Sequence, residues 1–315
     1  MGSESDAQSK LPIIEFNEEN LTPGTTSWLS TSDLVRQALE SCGCFLVKYK
    51  KLSQELHDKM FELSKQLFQL PTEIKVQNTS NILGFGYGTN FSFMPLVEYF
   101  GIENGATLKA TEEFTNLMWP AGNSSFCETA FSYSKLLSEL DHGVMRMVFG
   151  SYGVEKYLDP LIKSSFYLMR FLKYRAPKTD EINIGLHPHV DKGFLAILDT
   201  NQVTGLEIQL KHGEWITYEP STSPSTFLVI AGEPFQAWSN GRVHAPLHKV
   251  VIRGTEEKYT IGLFSFMREK VKIPEELIDE KNPLQFKDFN HLDFLEFLRG
   301  GKYTMERPIV AFCGV

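Results

Sequence analysis

The spacing of apolar residues changes from a helical to a strand-like period near the middle of the chain, and this change restricts the fold more than any other feature. Up to about residue 150, apolar side chains recur every three to four positions, which is typical of amphipathic helices. Beyond about residue 165, short apolar runs are separated by Gly, Pro, Asn and Asp at the intervals of sandwiches and barrels. We therefore expect an α+β protein whose β part is a sandwich or jelly roll.

Individual elements can be predicted from the same pattern. Thr31-Ser32-Asp33 can cap a first helix that Gly43 stops, Ser53 begins a second, and a third runs from about Phe126 to Phe149. A closing segment from Pro274 to Leu298 is also predicted to be helical. The predicted strands of the second half are Phe166–Tyr174, Phe194–Leu198, Gly205–Leu210, Trp215–Tyr218, Thr226–Ala231, Lys249–Ile252 and Tyr259–Phe266.

Composition excludes several functional classes. The chain of 315 residues has 31 Lys and Arg against 39 Asp and Glu, a net charge of −8, which argues against nucleic-acid binding. No apolar run reaches the roughly 18 residues of a membrane span, and the polar N-terminus lacks a secretory signal. The four cysteines are too few for a disulfide framework, so we expect reduced thiols in a cytoplasmic, enzyme-sized protein. We also expect the protein to be a monomer that acts on a small-molecule substrate.

The histidines carry the chemical signal. His57, His142, His212 and His291 have no chemical neighbour pattern and are expected to be surface or capping residues. By contrast, His189 and Asp191 form a His-x-Asp pair at the edge of a predicted strand, where alternation places both side chains on one face. With one more histidine, His244 or His248, they would form the facial triad of a non-haem Fe(II) oxygenase.

Two other sequence patterns resemble functional motifs but fit them poorly. His187 and His189 could form the His-x-His of a cupin, but that motif requires a Glu where this chain has Gly193. The glycine-rich segment 84–88 does not fit a phosphate-binding loop. Its glycines could instead allow Phe85 to close over a substrate pocket as part of a lid.

The segments around the candidate ligands resemble a known family. Gly185–Leu198 and Trp238–Val250 are similar to the metal-binding segments of plant 2-oxoglutarate/Fe(II)-dependent dioxygenases, and the resemblance extends over about residues 11 to 315. It implies a double-stranded β-helix (jelly roll) core with a helical N-terminal region and a C-terminal helix. It also assigns the third metal ligand to His248 rather than His244, with Fe(II) as the metal and 2-oxoglutarate and O2 as cosubstrates.

The resemblance further implies a division of the chain and a branch of the family. We expect a disordered N-terminus at 1–10, a mainly helical region at 11–120, the catalytic jelly roll with a supporting helix at 121–270 and a C-terminal helical segment at 271–315. Segments such as Leu21–Trp28 and Phe312–Val315 resemble the branch that modifies glucosinolate side chains, and deoxypodophyllotoxin synthase is similar. Dioxygenases of auxin oxidation form a neighbouring group.

The cosubstrate site departs from the family pattern. The family has Arg-x-Ser ten residues after the distal histidine, where this chain has Lys258 and Thr260. Lysine keeps the positive charge without the planar fork of arginine. The family also has an Asn-x-Tyr element before a proline on an earlier strand, and Tyr174 could replace the contact that this element makes. The resemblance places Phe264 in the wall of the substrate pocket.

The expected reaction is oxidation of a C–H bond in a small, aromatic plant metabolite by hydroxylation, dealkylation, desaturation or ring closure. The alternatives are auxin oxidation by the same chemistry and a catalytically weakened binder on the same fold.

Overall fold

The computed structural model describes residues 11–92, 94–299, 301–302 and 305–315. The predicted disorder at 1–10 lies outside these residues. The α-helices are α1 (Thr26–Ser41), α2 (Gln54–Phe68), α3 (Thr72–Lys75), α4 (Leu108–Met118), α5 (Ser124–Ser151), α6 (Leu158–Ser164), α7 (Glu233–Trp238), α8 (His291–Arg299) and α9 (Pro308–Cys313). The strands are β1 (Ile13–Phe16), β2 (Cys44–Tyr49), β3 (Gly88–Phe91), β4 (Met94–Glu103), β5 (Ser165–Tyr174), β6 (Ile184–His189), β7 (Leu195–Thr200), β8 (Leu206–Gln209), β9 (Trp215–Thr217), β10 (Thr226–Ala231), β11 (His248–Val251), β12 (Lys258–Met267), β13 (Lys270–Val271) and β14 (Phe289–Asn290).

In the described part of the chain, two large sheets form the β core, and β13 and β14 pair in a further two-stranded sheet. The larger has eight strands in the order β1-β2-β10-β7-β12-β5-β4-β3, and the smaller has four in the order β6-β11-β8-β9. Apart from the parallel β1–β2 pair, the pairings within both sheets are antiparallel. This arrangement, together with the flanking helices, is the expected α+β fold with a jelly-roll core.

The larger sheet is buried on both faces, and β10 shows how. Its six residues are all buried. Leu228 and Ile230 pack into the cluster between the two sheets, which includes Ile208 of the smaller sheet. Phe227 and Val229 point the other way, into the cluster shared with the helices. Because alternate side chains of a strand face opposite sides, an uninterrupted apolar run is required here.

The helices follow the predicted pattern with shifted ends. Ser53 caps α2 as predicted, since its side chain accepts a hydrogen bond from the Leu56 N–H at 3.2 Å. The predicted cap of α1 at Thr31–Asp33 is wrong, because the helix begins at Thr26 and Thr25 accepts from the Trp28 N–H at 3.0 Å. The long helix α5 extends the predicted third helix by two residues at each end.

Two parts of the chain differ from the sequence expectations. The closing segment is helical only over a short 3₁₀ turn at Glu275–Leu277 and over α8, with β14 between them. In addition, β3 and β4 form one edge of the larger sheet, although they come from the region predicted to be mainly helical. The boundaries at residues 120 and 270 stay predictions.

Candidate active site

The site begins with two histidines that face each other across neighbouring strands. His189 ends β6 and His248 begins β11, and the two are direct partners in the antiparallel register. Their ring centroids are 4.2 Å apart. Asp191 lies two residues after the end of β6, and its carboxylate lies beside both histidine rings. Its Oδ1 lies 3.7 Å from Nε2 of His189 and 3.6 Å from Nε2 of His248.

Hydrogen bonds fix which nitrogen of each ring is free. Nδ1 of His189 donates to the carbonyl of His187 at 2.8 Å, and Nδ1 of His248 donates to the carbonyl of Pro246 at 3.1 Å. A carbonyl oxygen can only accept, so in a neutral ring each Nε2 keeps its lone pair. Burial, reinforced by the neighbouring His248, lowers the pKa of His189 well below its usual value and favours the neutral ring.

This donor set fits a divalent iron. One nitrogen from each histidine and one carboxylate oxygen of Asp191 all lie within 4.8 Å of one another. The second oxygen, Oδ2, is buried and has no hydrogen-bond partner, although a buried polar atom is normally satisfied. Two imidazoles and one carboxylate on one side of an ion are the facial arrangement of non-haem Fe(II) sites.

A set of contacts holds the loop that carries Asp191. The Asp191 carbonyl accepts from the Glu233 N–H at 3.0 Å, and the Glu233 carboxylate pairs with Lys192 at 2.6 Å. Nε2 of His291 donates to the Lys192 carbonyl at 2.7 Å while its Nδ1 accepts from the Met267 N–H at 3.2 Å. The expectation that His291 is a surface or capping residue is therefore wrong, because the side chain is fully buried. No local pattern in the sequence indicates this role, because both hydrogen-bond partners of His291 are distant in the chain.

His244, the other candidate ligand, is elsewhere. It lies four residues before His248, and its N–H donates to the carbonyl of Leu39 in α1 at 2.9 Å. His244 lines a surface cavity of about 340 Å³ together with Lys211, and burial lowers the pKa of His244 to about 4. The structure thus brings His248, and not His244, to His189 and Asp191.

Lys258 is a buried cation without an anionic partner among the described residues. Its side chain is 1% exposed at the start of β12, and Nζ donates to the carbonyl of Val203 at 2.8 Å. Burial lowers the pKa of Lys258 to about 8. An unpaired buried charge is costly, so the position suits a bound anion.

The other predicted residues lie on or near the same face. Thr260 follows Lys258 by two positions on β12 and is buried, so both side chains face the smaller sheet. Tyr174 pairs with Lys258 in the register, and its ring packs against Gly185 of β6, where a β-carbon would lie 2.7 Å from Tyr174 Cδ1. Burial raises the pKa of this phenol.

The two predicted substrate contacts have different surroundings. Phe264 is partly exposed, and its Cβ is 3.7 Å from the position that a β-carbon on Gly193 would take, beside the Asp191 loop. Phe85 is buried in the core, with its ring centroid 4.9 Å from that of Phe266. The described structure therefore gives Phe85 a packing position rather than a place on a lid, and we leave it out of the proposed site.

Comparison with known proteins decides the family. Residues 164–266 match the 2OG-Fe(II) oxygenase superfamily, and residues 11–115 match the N-terminal region described as non-haem dioxygenase in morphine synthesis. An Arabidopsis thaliana protein named probable 2-oxoglutarate-dependent dioxygenase AOP1 is 40% identical over 297 residues, covering 92% of this chain and 97% of its own length. The chain belongs to the 2-oxoglutarate-dependent dioxygenases.

Further relatives agree with this assignment. The 2-oxoglutarate-dependent dioxygenase AOP3 of Arabidopsis thaliana is 30% identical, covering 97% of this chain and 98% of its own. Among solved structures, the rice dioxygenase for auxin oxidation has a TM-score of 0.81 at 26% identity, covering 97% of this chain and all of its own. The Arabidopsis thaliana dioxygenase for auxin oxidation 1, solved with 2-oxoglutarate, has a TM-score of 0.78 at 27% identity, covering 87% and 100%.

These findings establish an enzyme of this family. The dioxygenase uses Fe(II), 2-oxoglutarate and O2, as the resemblance of its sequence implied. No helix in the described part of the chain combines the length and the apolar character needed to cross a bilayer.

Proposed function

We propose that this dioxygenase oxidises a C–H bond of a small, aromatic plant metabolite, and that His189, Asp191 and His248 hold its iron. The observation that carries the proposal is the convergence of these three side chains around a buried, unsatisfied carboxylate oxygen. When bound, the iron supplies the activation of dioxygen that C–H oxidation requires.

The residues around the triad have separate tasks in this proposal. The carbonyls of His187 and Pro246 orient the two rings, and such outer contacts commonly tune ligand basicity. Lys258 supplies the charge for the far carboxylate of 2-oxoglutarate, and Thr260 adds a hydroxyl donor. The ring of Tyr174 fills the space between the two sheets beside Lys258. Phe264 offers an apolar surface to the substrate.

Auxin oxidation is a second candidate. It is favoured by the likeness to two dioxygenases for auxin oxidation, each at more than 25% identity over most of the chain. An indole-3-acetate substrate would place an aromatic ring against Phe264 and would bring a carboxylate into the site. A catalytically weakened binder on the same fold is the third candidate, supported by the replacement of the family arginine with Lys258 and by the departure of residues 173–175 from the family pattern.

Formation of succinate tests the proposal. The enzyme would be incubated with Fe(II), 2-oxoglutarate, O2 and aromatic plant metabolites including indole-3-acetate, and succinate and oxidised product would be measured together. We expect product and succinate in equal amounts with the wild type and neither with Asp191→Ala. The control is Asp180→Ala, which changes an exposed aspartate in the turn between β5 and β6. Succinate no higher than in Asp191→Ala would contradict the proposal.

We also propose that the protein is a monomer and lies in the cytoplasm. Light scattering would test the oligomeric state, and imaging of a tagged protein would test the localisation.

A further inference from the structure

A second cation, Arg170, lies on the interior face of the larger sheet. It is in the middle of β5, opposite Gly262 of β12 on one side and Gly101 of β4 on the other. Residues at alternate positions share a face, so Arg170 is on the same side of the sheet as Tyr174, and its partner Gly262 is on the side of Lys258 and Phe264.

Arg170 has no hydrogen bond or ion pair with any described residue. Its Nε is buried without a partner, and the side chain as a whole is partly exposed. The guanidinium carbon is 4.4 Å from the ring centroid of Tyr99, which itself stacks on Phe91. A cation–π contact satisfies none of the donors of an arginine, so the fork remains available to a ligand.

The backbone around Arg170 leaves room for that ligand. Both cross-strand partners are glycines, so no side chain flanks the guanidinium within the sheet. The glycine-rich segment passes close by: a β-carbon on Gly84 would lie 3.6 Å from Nη2 of Arg170. Gly84 has φ of +81°, a conformation that favours glycine. The glycine-rich segment 84–88 therefore borders the arginine at Gly84.

The backbones of Arg170 and Lys258 stand at different levels of the larger sheet, which favours a separate anion for each cation. Lys258 is opposite Tyr174, four positions along β5 from Arg170, which is roughly 13 Å at the rise of a strand. The proposed function already assigns Lys258 to 2-oxoglutarate. Phe264 lies between the Arg170 level and the Asp191 loop, since its partner on β5 is Leu168. Burial raises the pKa of the Tyr174 phenol, while the charge of Arg170 lowers it and that of Asp191 raises it, so both charges act on the same buried ring.

We propose that Arg170 binds an oxyanion of the substrate, so that this dioxygenase acts on a small organic anion whose apolar part lies against Phe264. The inference rests on the proposed function, and it adds the charge class of the substrate. A planar guanidinium matches a carboxylate in a bidentate manner, and a sulfate ester can satisfy the same fork. The shared chemistry is therefore a singly charged oxyanion on an apolar body.

Binding of matched probes tests the inference. Anaerobic calorimetry on enzyme loaded with Fe(II) and saturating 2-oxoglutarate, which occupies Lys258, would compare indole-3-acetate with its neutral amide, indole-3-acetamide. Indoxyl sulfate separates a sulfate from a carboxylate requirement. We expect the wild type to prefer an anionic probe, and Arg170→Gln to lose about 10- to 100-fold of that affinity while binding the amide unchanged. The affinity of Arg170→Lys for the anionic probe should lie between those of the wild type and Arg170→Gln.

Two controls separate the possible failures. The visible charge-transfer band of Fe(II) with 2-oxoglutarate should be equal in the wild type and Arg170→Gln; its absence from the wild type would instead contradict the proposed function. If Arg170→Gln does not fold, inorganic sulfate should compete with the anionic probe on the wild type and leave the amide unaffected. Equal affinities in wild type and variant, equal binding of acid and amide, or binding of neither anion by the loaded wild type would overturn the inference.

Discussion

His189 and His248 are direct cross-strand partners, with ring centroids 4.2 Å apart at the adjoining ends of β6 and β11. Antiparallel pairing sets this distance, so the spacing of the two rings is a property of the sheet rather than of a loop. Asp191 needs only a two-residue extension of β6 to join them. A site placed on paired strands is well preorganised for a metal.

The two histidines of the β11 region should differ sharply in their effect on metal binding. His248→Ala removes one of three ligands and should weaken Fe(II) binding by more than about 100-fold, since even outer contacts cost 10- to 100-fold. His244→Ala is the matched control, because this histidine is not among the three converging side chains. Competition with a coloured chelator would measure both. An equal loss in the two variants would contradict the assignment.

Binding of 2-oxoglutarate should weaken at alkaline pH. Burial lowers the pKa of Lys258 to about 8, so the lysine loses its charge as the pH rises through 8. Only the charged form attracts the carboxylate, and the affinity at pH 9 should be about tenfold lower than at pH 7. Lys258→Arg should remove this decline, whereas Lys173→Arg, whose lysine pairs with Glu257, should keep it. Titrations at several pH values would decide; a flat profile in the wild type would count against Lys258.

Replacement of His291 should loosen the Asp191 loop. His291→Leu keeps the volume but leaves the Lys192 carbonyl and the Met267 N–H without partners. We expect the free energy of unfolding to fall by about 3 kcal/mol and the iron affinity to fall with it. His142→Leu, a half-buried histidine on α5, should have little effect on iron. Denaturant titration and chelator competition would measure the two quantities, and unchanged values for His291→Leu would contradict the role.

Asp141 should make the stability of the protein depend on pH. Burial raises its pKa to about 7, although Tyr167 and Ser265 donate to its oxygens at 2.9 and 3.1 Å. Between pH 4 and 7 the unfolded chain releases this proton while the folded one keeps it, so stability falls as the pH rises. Asp141→Asn should remove this contribution, on the order of 1 kcal/mol per pH unit. Denaturation at pH 5, 6 and 7 would test it, with exposed Asp33→Asn as the control; parallel curves for wild type and Asp141→Asn would contradict it.

Much of this architecture could be predicted from periodicity and local motifs. The run at β10 and the cap at Ser53 follow from rules that involve neighbouring residues only. The choice between His244 and His248 could not be made in that way, because it depends on the register of β11 against β6. The resemblance of the Trp238–Val250 segment to the family supplied it instead.

The features missed by sequence reasoning all depend on distant contacts. His291 is buried because it reaches a carbonyl 99 positions earlier in the chain. The local sequence predicts that Phe85 belongs to a lid, but tertiary packing against Phe266 places the ring in the core. The role of Arg170 could not be predicted from the sequence, because only the pairing of β5 with β4 and β12 sets this residue between two glycines. Local patterns carry no information about such long-range partners.

The most direct test of the central claim is an anaerobic titration of the Fe(II)-loaded protein with 2-oxoglutarate, followed through the visible charge-transfer band. The account predicts a saturable band in the wild type and in His244→Ala, and none in His248→Ala or Asp191→Ala. It also predicts saturation at higher 2-oxoglutarate concentration in Lys258→Gln. No band in the wild type, or an undiminished band in His248→Ala, would contradict the claim that these residues form the iron and 2-oxoglutarate site.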